Sequence, residues 1–97
     1  MPNPSEILKQ KRAEALKIAE KYKVKNLRIF GSVARGEDDE ESDIDLLASF
    51  PEGFTLFDLV DLVKEIEELL GCKVDIASER GLKERVRARI LNEAIPI

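Results

Sequence analysis

The chain has 97 residues, 43% hydrophobic, 5% aromatic and 37% charged, which is enough apolar material for one core and so for a single domain over residues 1–97. It has no histidine and one cysteine, Cys72, which excludes Ser–His–Asp and Cys–His catalysis, His-ligated zinc, an internal disulfide and a thiolate metal cluster. The net charge of −4 hides an uneven distribution, with +6 over residues 1–36, −13 over 37–79 and +3 over 80–97.

Chemistry must therefore come from carboxylates, hydroxyls, Lys or Arg, and metals that prefer oxygen. So acidic a centre repels nucleic acid unless cations intervene, and nucleic acid is not an expected partner. No apolar run approaches the ~18 residues of a membrane span. Residues 1–12 lack an apolar h-region, so no signal peptide is read and the cytoplasm is the expected location. Amides are few beside abundant Glu and Lys, which leans toward a heat-adapted source.

In chain order, residues 5–22 predict a helix capped by Ser5, with Ile7, Leu8, Ala15, Leu16 and Ala19 along one side. Residues 27–30 predict a short strand ended by Gly31, and residues 43–50 a second ended by Pro51 and Gly53. Residues 55–70 give the clearest helix. Thr55 and Asp58 form a capping-box start, Gly71 stops it, and Leu56, Leu59, Val60, Val63, Ile66 and Leu70 mark its apolar stripe. Residues 73–77 predict a third strand and residues 82–94 a final helix with Leu82, Val86 and Ile90 on its apolar side. The order α-β-β-α-β-α implies an α/β (α+β) fold, a small mixed sheet with helices packed against it. Most of the five aromatics read as core, so stacking on single-stranded RNA is not expected, and Cys72 reads as a core or turn residue. The arginines of the last helix fit an amphipathic surface helix; a docking face for an acidic partner or an RNA is the alternative.

The chemistry concentrates in the string SDIDLL at residues 42–47. Aspartate disfavours strands, yet two stand in an apolar one. Side chains at i and i+2 share a face, so Asp43 and Asp45 project together while Ile44 and Leu46 face the core. Two adjacent carboxylates repel unless a cation lies between them, and Mg²⁺, which takes one or two carboxylates plus phosphate oxygens, suits the pair. Asp75 interrupts the third strand in the same way. If that strand neighbours the second, three carboxylates hold two metals ~3.5–4 Å apart, the clamp used for in-line phosphoryl displacement, and Asp75 can accept a proton from an attacking hydroxyl.

The string GSVARG at residues 31–36 follows the first strand. Gly31 permits close backbone approach to a phosphate, Ser32 offers a hydroxyl and an N–H at the start of a helical turn, and Arg35 can add a charge-assisted bond. A P-loop is excluded because Glu37 and Asp38 stand where Lys and Ser or Thr are required. A calcium loop is excluded because Leu47 and Ala48 replace an oxygen ligand and a glycine.

Gly31 and Ser32, ten intervening residues, then Asp43-Ile44-Asp45 resemble the signature of the polymerase-beta-like nucleotidyltransferase superfamily. GSVARG, SDIDLL, the helix start TLFDLV and the strand KVDIAS resemble its minimal nucleotidyltransferase branch, over about residues 8–95. The resemblance implies a mixed α/β core with a short, partly antiparallel sheet. It implies that Asp43 and Asp45 bind two Mg²⁺ ions, that Asp75 completes the site and helps activate the acceptor hydroxyl, and that Gly31 and Ser32 hold the triphosphate. It further implies transfer of a nucleoside monophosphate, AMP from ATP, with release of pyrophosphate. The partner it implies is a HEPN-domain toxin, which the protein neutralises as antitoxin by binding it and by adding AMP to a toxin tyrosine. A short chain builds the metal and triphosphate half of such a site, so a partner protein is expected to supply the acceptor half. Binding without catalysis, and transfer to RNA ends or a small molecule, are the alternatives.

Overall fold

The computed structural model describes residues 2–97. The chain opens with two short helices, α1 (Pro4–Gln10) and α2 (Arg12–Lys21). It continues through β1 (Lys25–Phe30), α3 (Gly31–Arg35), β2 (Ile44–Ser49), α4 (Leu56–Leu70) and β3 (Val74–Ser78). A 3-10 turn (Glu79–Gly81), α5 (Glu84–Glu93) and a two-residue strand β4 (Ile95–Pro96) complete it. The strands form one mixed sheet in the order β3-β2-β1-β4, in which β2 pairs antiparallel with β1 and parallel with β3, and β1 pairs antiparallel with β4. The expected α/β architecture with a small mixed sheet is thus what the chain adopts.

Several local expectations are corrected. The first helix is two helices, because Lys11 leaves helical geometry at φ −108°, ψ 17°. Ser5 does not cap it: the helix starts one residue earlier at Pro4, whose missing N–H costs nothing in a first turn, and the N-cap is Asn3. Ser5 instead donates its backbone N–H to the Asp38 carboxylate at 3.0 Å, tying the N-terminus to the acidic loop. The first strand starts earlier than expected, at Lys25, through a register shift between Lys25 and Arg28 in which Asn26 takes a left-handed φ of 54°. The strand β4 was not expected at all.

The helix α4 follows its punctuation closely. Thr55 accepts a bond from the Asp58 N–H at 3.2 Å, and the Asp58 carboxylate accepts from the Thr55 N–H at 2.9 Å, the reciprocal capping box. Gly71 closes the helix at φ 71°. Its apolar stripe keeps Leu59, Val63, Ile66 and Leu70 of the expected set on the core side and differs at its first turns, where Leu62 replaces Leu56 and Val60. Leu62, Ile66 and Leu70 are buried, whereas Leu56 is 75% and Val60 47% exposed. Phe57 is 83% exposed, so not every aromatic belongs to the core. Phe50 and Phe54 do pack, stacked with ring centroids 4.6 Å apart.

The core joins Leu8, Ala19, Leu27, Val33, Ile44, Leu46, Leu62, Ile66, Val74 and Ile76. Along β2, Ile44, Leu46 and Ala48 are fully buried against the helices, and Leu47 on the opposite side is fully buried as well. No residue of α5 is fully buried; Val86, Ile90 and Leu91 are half-buried. Away from the sheet, Tyr22 donates its hydroxyl to Glu65, which also pairs with Lys21; the bond pushes the Tyr22 pKa up to about 12 and holds the Glu65 carboxyl below its usual range. No helix among the described residues is long and apolar enough to cross a membrane.

The difference between Leu62 and Leu56 on α4 gives a direct test. Leu62→Ala, at a fully buried site, is expected to cost about 2–5 kcal/mol in urea unfolding. Leu56→Ala, at a site 75% exposed, is expected to stay within about 0.5 kcal/mol of the parent.

Candidate active site

The site gathers where β1 ends and β2 and β3 begin. In the parallel ladder Asp45 is the Cα partner of Asp75, and in the antiparallel ladder it is the partner of Phe30. Directly paired residues point to the same side of a sheet, so Asp45 and Asp75 share one face. Ile44 and Leu46, between and beside them, are fully buried on the other. Asp43 stands immediately before β2, exposed to solvent, as is Asp75, while Asp45 is half-buried.

The three carboxylates interact. The Asp45 pKa is raised above the ordinary carboxylate value, first by burial, then by the charges of Asp75 and Asp43, with Arg35 opposing the shift and Glu93 adding to it. Among the described residues no three acidic, cysteine or histidine side chains converge into a ready-made metal cage. The donor set nevertheless fits Mg²⁺. It is all oxygen, it carries excess negative charge, and Mg²⁺ fills its octahedral shell with substrate phosphates and water rather than with protein ligands alone.

Gly31 opens α3 at the end of β1 with φ 76°, a left-handed conformation that side-chain-bearing residues rarely adopt. A Cβ placed there would lie 2.4 Å from the Asp45 Oδ2, so the glycine lets backbone and carboxylate meet. Ser32 follows in the first turn, half-buried, and Val33 anchors the turn in the core. Arg35 ends the turn. Its Nε donates to Glu37 at 3.0 Å and its Nη1 to Glu93 at 2.7 Å, and these bonds, led by Glu93, raise its pKa further. The structure thus brings Gly31, Ser32, Arg35, Asp43, Asp45 and Asp75 to one end of the sheet.

Glu93 is the site residue that sequence reasoning missed. It comes from the last turn of α5, and its Oε2 accepts the Gly31 N–H at 2.8 Å. The bonds from Arg35 and then Gly31 hold its carboxyl below the usual range. A signal was present: a carboxylate in the last turn of a helix opposes the macrodipole, which favours a base there, and α5 has no base in that turn.

Residues 12–97 match the nucleotidyltransferase domain family, and the chain belongs to it. A Methanocaldococcus jannaschii protein, provisionally named a protein adenylyltransferase, is 48% identical over 79% of this chain and 83% of its own. The protein adenylyltransferase MntA of Thermococcus cleftensis is 34% identical over 86% of this chain and 84% of its own. Among solved structures, one provisionally described as a minimal nucleotidyltransferase superposes with a TM-score of 0.86 at 48% identity, covering 96% of this chain and 95% of the other. A toxin–antitoxin structure with AMP-PNP shares the fold with a TM-score of 0.75 at 17% identity, over 87% of this chain and 69% of the other.

Two outcomes follow from the geometry. Gly31→Ala is expected to destabilise by about 1–3 kcal/mol from the left-handed backbone alone, with displacement of Asp45 added, measured by urea unfolding. Asp45→Asn is expected to raise the melting temperature in metal-free buffer at pH 7. A carboxyl whose folded pKa is raised disfavours the folded state once ionised. The advantage of Asn must therefore vanish as pH falls below the unfolded carboxylate range, and grow as pH rises through the raised value.

Proposed function

We propose that this protein is a Mg²⁺-dependent nucleotidyltransferase that transfers AMP from ATP to a hydroxyl of a partner protein, a tyrosine of a HEPN-type toxin, and so acts as its antitoxin. The reading rests above all on the pairing of Asp45 with Asp75 across β2 and β3, with Asp43 two residues upstream and the Gly31-Ser32 turn in contact. The adenylyltransferase names of the relatives and the toxin–antitoxin neighbour with AMP-PNP support the donor and the partner class.

Asp43, Asp45 and Asp75 are the residues that would hold the two Mg²⁺ ions. When bound, the ions neutralise the triphosphate and stabilise the charge that develops on entering and leaving oxygens. Ser32 offers its N–H and hydroxyl to the triphosphate, Gly31, whose own N–H is held by Glu93, lets the backbone come close without a side chain, and Arg35 adds a guanidinium. The acceptor hydroxyl oxygen attacks the α-phosphorus, the bond to pyrophosphate breaks, and Asp75, exposed at the edge of the cluster, takes the hydroxyl proton. The exposed carboxylates leave room for an acceptor carried on another protein. The cytoplasm, where ATP is available, is the proposed place of action.

The test uses ATP labelled at the α-phosphate, Mg²⁺ and the protein encoded by the adjacent gene. Label is expected on a tyrosine of that protein. Asp43→Ala combined with Asp45→Ala is expected to cut transfer at least about 10²-fold, the scale of losing transition-state charge stabilisation. Absence of label, with neutralisation surviving the double substitution, would establish binding without catalysis. Label appearing only on RNA ends or a small molecule would move the acceptor class.

A further inference from the structure

One carboxylate ties both ends of the turn that contacts Asp45. Glu93 accepts the Gly31 N–H through Oε2 at 2.8 Å and the Arg35 Nη1 through Oε1 at 2.7 Å, so it bridges the first and last residues of α3. This placement is unfavourable in two respects. The acid sits at the wrong end of a helix dipole, and it adds negative charge beside Asp45. A residue held against both is set there by the bonds that it makes.

Arg35 shows what the bonds accomplish. Its side chain is 46% exposed and lies between two carboxylates, Glu93 beside the site and Glu37 on the acidic loop. The Glu37 bond holds it from the loop side and the Glu93 bond from the α5 side. The Glu93 bond holds the guanidinium beside the Gly31 turn, against which the Asp45 carboxylate lies. Two of the five guanidinium donors are occupied by these carboxylates, and the others remain for phosphate oxygens.

We propose that Glu93 is a positioning residue for nucleotide binding, which acts by fixing the Gly31–Arg35 turn and orienting Arg35 toward the triphosphate. The proposal rests on the nucleotidyltransferase reading above. Glu93 does not touch the reacting atoms; its effect passes through Arg35 and the turn.

The experiment is a titration of the full chain with Mg·ATP by calorimetry, alongside melting curves. Glu93→Ala is expected to weaken binding about tenfold, the scale of one lost bond to a charged group, with a folded melting profile. Glu93→Gln, which keeps an acceptor oxygen, is expected to recover part of the affinity. In an Arg35→Ala background, Glu93→Ala is expected to add less than about twofold, since its route of action is gone. Arg87→Ala is the control for simple loosening of α5. It removes the bond from Arg87 Nη1 to the Glu79 carbonyl at 3.0 Å, away from the turn, and is expected to leave affinity within about twofold. Unchanged or tighter binding by Glu93→Ala overturns the proposal, the tighter result meaning that the carboxylate competes with phosphate. Equal weakening by Arg87→Ala also overturns it. A parent chain that binds no Mg·ATP removes the nucleotidyltransferase reading itself, whereas a parent that binds and a Glu93→Ala variant that binds equally removes only the role of Glu93.

Discussion

The register of β2 is the constraint on which the site depends. Ile44, Leu46 and Ala48 are fully buried on one face, and a one-residue slip would turn the Asp45 carboxylate into that helix-packed core. Burial on one face therefore fixes a carboxylate on the other. The same register sets Asp45 opposite Phe30 on one side and Asp75 on the other. From that position the rest follows. Gly31 must lack a Cβ because the Asp45 carboxylate occupies the space, and α3 must begin where it does because β1 ends there.

The charge distribution is organised around this point. The central segment carries −13, but its acids have different roles. Asp38 holds the N-terminus through the Ser5 N–H. Glu65 pairs with Lys21 and Tyr22, and Glu79 with Arg28 at 2.7 Å. Glu67 accepts the Val74 N–H at 3.0 Å and so caps the start of β3. The three aspartates stand at the same end of the sheet, where the charges of Asp43 and Asp75 act on Asp45 and that of Arg35 opposes them. On the proposed function, a divalent metal and a triphosphate would complete that balance, because the carboxylates would repel a triphosphate that came without cations.

Much of this was visible in the residue order because the signals are local. The Thr55–Asp58 box and Gly71 bound α4 as read, since both ends are decided by contacts within four residues. The spacing of Asp43 and Asp45 in an apolar strand, and the glycine directly after β1, likewise needed only the periodicity of two and the special backbone freedom of glycine. The misread features are those decided by contacts across the chain. The first turns of α4 carry apolar residues on more than one side, and only packing on the sheet selects Leu62 over Leu56 and Val60. The strand β4 is two residues long and contains a proline, which is tolerated at an edge and gives no strand signal of its own.

The sequence by itself determined the chemical character of the protein: no histidine, three aspartates in strand settings, and a glycine–serine turn ahead of the first pair. These are properties of residue type and short spacing. Only the tertiary structure decided that Asp75 stands beside Asp45 and that Glu93, 62 positions from Gly31, closes the turn from behind. Strand order and the path of α5 depend on which apolar faces bury each other across the whole chain, and no window of the sequence contains both partners of those contacts.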